Sequence, residues 1–226
     1  MSKQKKQTKP ITITKTRKIL FLILIPILLI EIILVSNKVY NKYFVSEKNN
    51  KFKETAPKET LKKEEYNYIL SSNASKYEEE LFQELKNTLS KDEINEEEYA
   101  KNLAKIFISD VFTMSTKKSS SDITSSQYVY TDYQETYKTM IKETIYSSIE
   151  LNLDGKREQK LPTVTNVEIN TITRETFSTQ NDVLDQNAFH ITATITYEEN
   201  LNYPTNYELI LVKNKNILQV VKAKEV

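Results

Sequence analysis

The residue types most often used in catalysis are scarce in this chain of 226 residues. It has one histidine, His190, one glycine, Gly155, and no cysteine. A hydrolase or zinc site needs a histidine that converges with Cys, Ser, Asp or Glu side chains, and a phosphate-binding loop needs several glycines. His190 lies among threonines of an alternating segment, which favours a solvated or hydrogen-bonded surface residue. The sequence therefore predicts no catalytic residue, no metal ligand and no cofactor, and an enzyme built around His190 is the least favoured alternative.

The oxygen-rich segment STQNDVLDQN is a second place where chemistry is conceivable. Its side chains Asn181, Asp182, Asp185 and Asn187 carry the oxygen atoms that calcium prefers. The segment lacks the Asp-x-Asp-x-Asp-Gly spacing of a calcium loop, and its composition is typical of a turn. We expect a solvated turn between two strands.

Glu31 is the only acidic residue in the apolar run at residues 19–35. Fifteen of these 17 positions are Ile, Leu, Phe or Val, which together favour membrane insertion by about 4 to 9 kcal/mol. The carboxylate opposes insertion by about 3 kcal/mol, so a transmembrane helix over residues 19–36 is expected. Glu31 is then a candidate for pairing with a neighbouring transmembrane helix during assembly. The alternative is that Glu31 lies near the outer third of the bilayer, where its carboxyl is either protonated or extends to the interface beside Lys38.

The flanks of the apolar run predict its orientation. Seven Lys or Arg residues and no acid precede residue 19, so residues 1–18 are expected to be a basic cytoplasmic tail. No small-residue cleavage site is found near the end of the run, which favours an uncleaved signal-anchor over a cleaved signal peptide. We expect a single-pass protein of the cell membrane whose C-terminal domain is extracytoplasmic.

The charge balance restricts the partners of the exported part. Of 32 basic and 31 acidic residues, seven basic residues and Glu31 precede residue 37, which leaves 25 basic against 30 acidic. Nucleic-acid binding usually needs a basic face, so no nucleic acid is expected. The basic tail is explained by topology beside anionic lipid headgroups. The expected partners are the lipid bilayer and other envelope proteins, with a second copy of this chain as a further option.

The tyrosines divide into two groups by their position in the pattern. Tyr99, Tyr133 and Tyr137 lie on apolar helical stripes and are predicted to be mostly core residues. The others considered lie in loops or at element edges, where an amphipathic ring suits a protein interface or a shallow ligand groove. These candidates are Tyr128, Tyr130, Tyr203 and Tyr207.

The segment between the apolar run and the predicted domain is expected to be a stalk. Residues 37–73 are charged, poor in aliphatic side chains and interrupted by Pro57. Because such a segment buries little before Tyr66, at most a short helix from Thr60 onward is expected. The exported domain is therefore predicted to span residues 74–226.

Three helices are predicted in the first half of this domain. Their starts match the capping-box pattern at Ser75 with Glu78, Ser90 with Glu93, and Thr131 with Gln134. Apolar stripes of helical period run over residues 99–114 and 133–149. Between these stripes, residues 115–127 form a Ser/Thr-rich loop without an obvious buried face.

After Gly155 the apolar period changes from 3.6 to 2, which indicates strands. The segments at 164–173, 189–197, 207–213 and 216–223 are predicted to form four mostly antiparallel strands, the last two joined at Asn214 and Lys215. Helices that precede an antiparallel sheet make the predicted class α+β.

The stretches YAKNLAKIFISDVFTM and YTDYQETYKTMIKETI, followed by strands from Thr163 to the C-terminus, carry a resemblance of element order. With the anchor and stalk, the order resembles the nuclear-transport-factor-two-like domains in their membrane-anchored form, as in the bitopic assembly-factor subunits of type IV secretion and conjugation machines. The resemblance implies a cone-shaped sheet and a role in assembly, and it assigns no site residue.

Two hypotheses of function follow. The first is a non-enzymatic protein-interaction or assembly module of an envelope complex. The alternative is a module that binds a small ligand or cell-wall glycan on the concave face of the sheet, with Thr192, Thr194, Tyr128 and Tyr130. The alternative predicts a polar pocket with an aromatic wall.

Overall fold

The three helices precede the four-stranded sheet along the chain, as predicted. The structure is a computed structural model and describes residues 57–63, 66–179 and 183–226. The elements are β1 (Glu59–Lys63), β2 (Tyr66–Leu70), α1 (Lys76–Ser90), α2 (Glu96–Phe112), α3 (Gln134–Glu143), β3 (Val164–Ser178), β4 (Val183–Tyr197), β5 (Asn206–Asn214) and β6 (Ile217–Glu225). The α+β class, the three helices and the four-stranded antiparallel sheet are confirmed.

The predicted transmembrane segment at 19–36, with Glu31, lies outside the described residues. Among the residues that the structure describes, no helix is long and apolar enough to cross a membrane.

An antiparallel β1–β2 hairpin occupies part of the predicted stalk. Leu61, Tyr66, Tyr68 and Leu70 are buried in the main core, and the Tyr68 hydroxyl lies 2.7 Å from that of Tyr99 in α2. The prediction of a stalk is therefore wrong for residues 57–63 and 66–73. Thr60, where a short helix was expected to begin, lies in strand β1. The reason is a period-two alternation, too short to stand out among charged neighbours, that buries every second side chain of β2.

The first two helices begin with different caps. α1 has the predicted capping box, since the Ser75 hydroxyl accepts from the Glu78 amide and the Glu78 carboxylate accepts from the Ser75 amide. The second predicted box is wrong, because α1 continues through Ser90 and α2 begins after Asn95, whose side chain accepts from the Glu98 amide. A capping pattern predicts a helix start only where the chain leaves the preceding helix.

α2 is the central helix of the domain. Buried side chains surround its axis on all sides from Tyr99 to Phe112, including the small residues Ala100 and Ala104. A helix that is apolar all round is enclosed by other elements. The elements that enclose α2 include α1 and the strands β3, β4 and β6.

α3 is shorter than predicted and less buried. The capping box at Thr131 is wrong, because Thr131–Tyr133 forms a 3-10 turn and α3 starts at Gln134 without a side-chain cap. The helix ends at Glu143, and the chain then turns so that the Tyr146 hydroxyl donates to the Val111 carbonyl at 2.8 Å. Of the predicted stripe at 133–149, Ile141 and Ile149 are buried, whereas Tyr133 and Met140 are exposed.

The four long strands pair in the order β3-β4-β5-β6, all antiparallel. Gly155, the one glycine of the chain, lies outside the sheet. The register between β3 and β4 is interrupted by four irregular steps and that between β5 and β6 by one. Bulges of this kind bend a strand without a glycine. The final hairpin turns at Lys215 and Asn216, one residue later than predicted, because Asn214 pairs with Ile217 and Lys215 takes a positive φ of 57°.

Candidate functional site

Three of the four tyrosines predicted for an interface pack on the main core, and only Tyr130 does not. Tyr128 is 1% exposed and lies 5.3 Å from Tyr68 between ring centroids, so its prediction as a surface residue is wrong. Tyr203 and Tyr207 are half-buried against the main core, with Tyr207 4.8 Å from the Phe112 ring. Tyr130 packs against a separate, smaller cluster.

This smaller cluster lies on the sheet face opposite the helices, the outer face. Side chains alternate between the two faces of a strand, and the neighbours Phe189, Leu209 and Leu211 belong to the main core. Ala188, Ile210 and Val212 therefore point outward, and they are buried by one another and by half-buried neighbours. We call this cluster the outer-face patch; it consists of Tyr130, Phe177, Ala188, Ile210, Val212 and Val221.

The chain reaches the outer-face patch by crossing the β6 edge of the sheet. Val129 forms a parallel bridge with Val220, and the Tyr130 amide donates to the Val220 carbonyl at 3.0 Å. Tyr130 then contacts Tyr133, with ring centroids 5.3 Å apart. Because Tyr133 is 37% exposed, the aromatic surface continues from the patch to the start of α3.

The polar side chains of the outer face form rows next to the patch. The Thr171 and Thr192 hydroxyls lie 2.6 Å apart, and Thr194 donates to the Asn206 side chain at 3.0 Å. His190 is half-buried beside Thr173 and Ile210 in the register, and its Nε2 has no hydrogen-bond partner among the described residues. No group of three His, Cys, Asp or Glu side chains within the described part of the chain is placed to hold a metal ion.

The structure divides the side chains that the alternative hypothesis assigned to one ligand pocket. Thr192, Thr194 and Tyr130 lie on the outer face, whereas Tyr128 is enclosed in the main core. The inner face is filled by apolar residues such as Ile191, Ala193, Ile195, Leu209 and Leu211. Tyr128 therefore lies apart from the other three side chains expected to line that pocket.

A buried charge cluster lies beneath the loop that follows α2. Lys117 is 3% exposed and its ammonium contacts the Asp110 carboxylate at the end of α2. The Thr124 hydroxyl donates to the same Asp110 oxygen at 2.7 Å and lies 3.3 Å from the Lys117 Nζ. Burial is the largest single influence and lowers the pKa of Lys117. The combined influence of Asp110, Tyr146, Glu78 and Asp122 exceeds it and raises that pKa well above its ordinary value.

Glu78 adds a second buried carboxyl to this cluster. It is 4% exposed, and burial raises its pKa to about 7. The Lys117 charge opposes that rise and the Asp110 charge adds to it, so the three groups interact. We call Glu78, Asp110 and Lys117 the buried charge cluster. No sequence pattern predicted this cluster, and Glu78 was predicted only as a capping residue.

Side chains from α3 and from the surrounding loops enclose the cluster. Tyr137 and the buried Ser125 share a hydrogen bond of 2.8 Å, and burial raises the pKa of Tyr128 well above its usual range. Arg157 donates to the backbone oxygens of Lys117 at 2.9 Å and Ser115 at 2.7 Å. The prediction that residues 115–127 have no buried face is therefore wrong, because this loop covers charged groups.

Comparisons with known protein families, with curated proteins and with solved structures found no match for this chain.

Proposed function

We propose that this chain is a single-pass membrane protein whose exported domain is a non-enzymatic assembly module of an envelope complex. The observation that carries the proposal is the outer-face patch, which places Tyr130, Phe177 and Val221 half-exposed on the sheet face opposite the helices. The predicted anchor at residues 19–36 supports the location, since it would hold the domain outside the membrane.

The chemistry of the patch suits a protein partner. Aromatic side chains and Met are enriched where proteins bind one another, and charged residues are depleted at the centre of such contacts. Tyr130 and Tyr133 offer two adjoining rings, and Met140 lies two helical turns beyond Tyr133 with 49% of its surface exposed. Polar threonine rows beside this apolar centre would form the rim of an interface.

The class of complex is inferred from element order. Helices followed by a four-stranded antiparallel sheet agree with the resemblance to the anchored assembly factors of secretion and conjugation machines. We propose such a machine as the setting, with Glu31 as a contact between transmembrane helices and the outer-face patch as a contact between exported domains. The two contacts can be tested separately, because one lies in the anchor and the other in the domain.

Site-specific photo-crosslinking in cells tests the role of the patch. We expect a photoreactive phenylalanine at position 133 of the full-length chain to capture one or a few envelope proteins. The matched control is position 76 on α1, where the Lys76 side chain is 91% exposed. A second variant, Tyr130→Glu, should weaken the capture at 133, because it puts a charge at the apolar centre.

Two outcomes would overturn the proposal. One is the absence of any protein crosslinked through position 133 in cells that contain the native complex. The other is the same set of captured proteins at positions 133 and 76, which would show encounter by proximity rather than recognition by the patch.

A further inference from the structure

We propose that Glu78, Asp110 and Lys117 form a proton-binding site, and that its proton holds residues 117–128 against the first two helices. Such a site stabilises the fold itself and does not depend on the identity of a partner. Its three charged groups are all buried.

The charges of the buried cluster do not balance when all three groups are ionised. Two carboxyl groups, Glu78 and Asp110, face a single ammonium, Lys117, and each of the three residues is no more than 6% exposed. A buried charge is costly unless it is paired. One bound proton removes the excess negative charge and leaves one ion pair, so the neutral cluster is the favoured state of the folded chain.

Among the described residues, Lys117 is the cation that lowers the pKa of Glu78, and the Asp110 charge opposes it. Arg157 is close in the fold, but its guanidinium donates to backbone carbonyls, including those of Lys117 and Ser115. The charge of Asp122 also acts on Lys117, which increases the local negative charge. The tyrosines around the cluster, Tyr128, Tyr137 and Tyr146, have raised pKa values and stay neutral at physiological pH.

Glu78 is the group that takes the proton. Lys117 and Thr124 both contact Asp110, so the Asp110 carboxylate has a cation and a hydroxyl donor. Glu78 accepts from the Ser75 amide at 2.7 Å, whereas the ion pair of the ammonium is with Asp110. The pKa of Glu78, raised by burial to about 7, agrees with this assignment.

The site connects separate parts of the chain. Glu78 lies in the first turn of α1, Asp110 lies near the end of α2, and Lys117 belongs to the loop that follows. The same loop ends at Gln127, whose side chain bonds the Ile69 amide at 2.7 Å and its carbonyl at 2.9 Å. Loss of the proton charges the space beneath the loop and weakens the attachment of residues 117–128.

The sign of the pH dependence follows from linkage. Below pH 4.5 the Glu78 carboxyl is protonated in both folded and unfolded chains, and the burial penalty is absent. Between pH 4.5 and about 7 the folded chain binds more protons, so its stability falls as the pH rises. Above about pH 7 the penalty is fully present. The fold should thus be more stable at pH 5.5 than at pH 8.

Denaturant unfolding of the full-length chain at pH 5.5 and pH 8 tests the proposal. We expect a lower midpoint at pH 8 for the wild type and no such pH effect in Glu78→Gln. The matched control Glu84→Gln, on an exposed position of the same helix, should keep the wild-type difference. Asp110→Asn should also lose it, because one carboxylate and one ammonium need no extra proton.

Two spectroscopic measurements add direct outcomes. Hydrogen exchange, corrected for the intrinsic effect of pH, should show residues 117–128 more protected at pH 5.5 than at pH 8 in the wild type and equally protected in Glu78→Gln. The infrared absorption of protonated carboxyls at pH 5.5 should be stronger in the wild type than in Glu78→Gln by the band of one buried carboxyl, and this excess should disappear at pH 8. If Glu78→Gln fails to fold, the wild-type infrared titration decides, because a carboxyl that loses its proton near pH 7 is distinct from exposed carboxyls that lose theirs near pH 4.5. A wild type without a carboxyl that deprotonates between pH 5.5 and pH 8, or a Glu78→Gln variant with the wild-type pH effect, would overturn the proposal.

Discussion

Two three-charge networks in this domain have opposite composition and opposite surroundings. The buried charge cluster has two carboxyl groups and one ammonium beneath a loop. At the other network, the Glu96 carboxylate at the start of α2 accepts from Arg174 at 3.0 Å and from Lys213 at 2.5 Å, with all three side chains more than a third exposed. The first network has too few cations for its acids, and the second has one cation more than it needs.

The difference shows how the setting changes the behaviour of the same residue type. Burial raises the pKa of Glu78, whereas hydrogen bonds from Lys213 and Arg174 lower the pKa of Glu96. Water screens the exposed network, so each of its pairs is worth little. The main influence on the pKa of Glu78 is burial, and the main influence on the pKa of Glu96 is its hydrogen-bond donors.

The largest expected effect comes from removing the buried cation. Lys117→Met leaves Asp110 and Glu78 buried without an ammonium, which should lower the free energy of unfolding by about 3 to 5 kcal/mol. Lys213→Met in the exposed network should cost less than about 1 kcal/mol. Urea unfolding at pH 7 measures both variants. Equal losses would remove the distinction between the two networks.

Removal of a single hydroxyl should have an intermediate effect on the free energy of unfolding. Thr124→Val removes the donor to Asp110 and should cost about 2 kcal/mol, because the acceptor is a buried charge. The control is Thr171→Val, whose hydroxyl pairs with Thr192 on the exposed outer face, and whose loss should be below about 1 kcal/mol. A larger loss at Thr171 than at Thr124 would contradict the role given to burial.

The exposed network should show the opposite pH dependence at a smaller scale. The pKa of Glu96 is lowered in the folded chain, so its contribution is present above pH 4.5 and is lost as the pH falls further. Glu96→Gln should therefore be less stable than the wild type at pH 6, by less than about 1 kcal/mol, and the difference should be smaller at pH 3. Thermal unfolding at the two pH values checks this. A difference that grows on acidification would refute it.

Salt should produce the smallest effect. The coupling between Glu96 and Lys213, roughly 0.5 kcal/mol in a double-mutant cycle at low salt, should vanish at 1 M salt, where the Debye length is about 3 Å. The coupling between Thr124 and Asp110 should stay unchanged, because ions do not enter the buried cluster. Unfolding cycles at both salt concentrations measure the two couplings. A salt-sensitive Thr124–Asp110 coupling would show that water reaches that site.

The sheet and the first helix cap could be predicted because their signals are local. The alternation from Phe189 to Tyr197 sets which side chains face inward, and Ser75 with Glu78 lies within one helical turn. Neither feature needs knowledge of a distant partner. The α+β class followed from the change of period after Gly155.

The buried charge cluster and the hairpin could not be predicted, because their burial depends on contacts between distant segments. Lys117 stands in a Ser/Thr-rich loop, where a lysine is normally solvated, and only the folded chain places it over Asp110. Tyr68 is buried through its contact with Tyr99, 31 residues away. Tyr133 lies on an apolar stripe in sequence, yet it falls in the 3-10 turn before α3 and is exposed.

The β1–β2 hairpin has a mechanical consequence for a chain pulled from its N-terminal side. The force acts first on Lys58, whose amide donates a hydrogen bond to the Leu70 carbonyl at 3.0 Å. It acts next on Glu59, which forms an ion pair with Lys86 of α1. Because Glu59 pairs with Leu70 at the open end of the hairpin, the load opens β1 one bond at a time. The hairpin would therefore yield before α2 and its enclosed core bear the force.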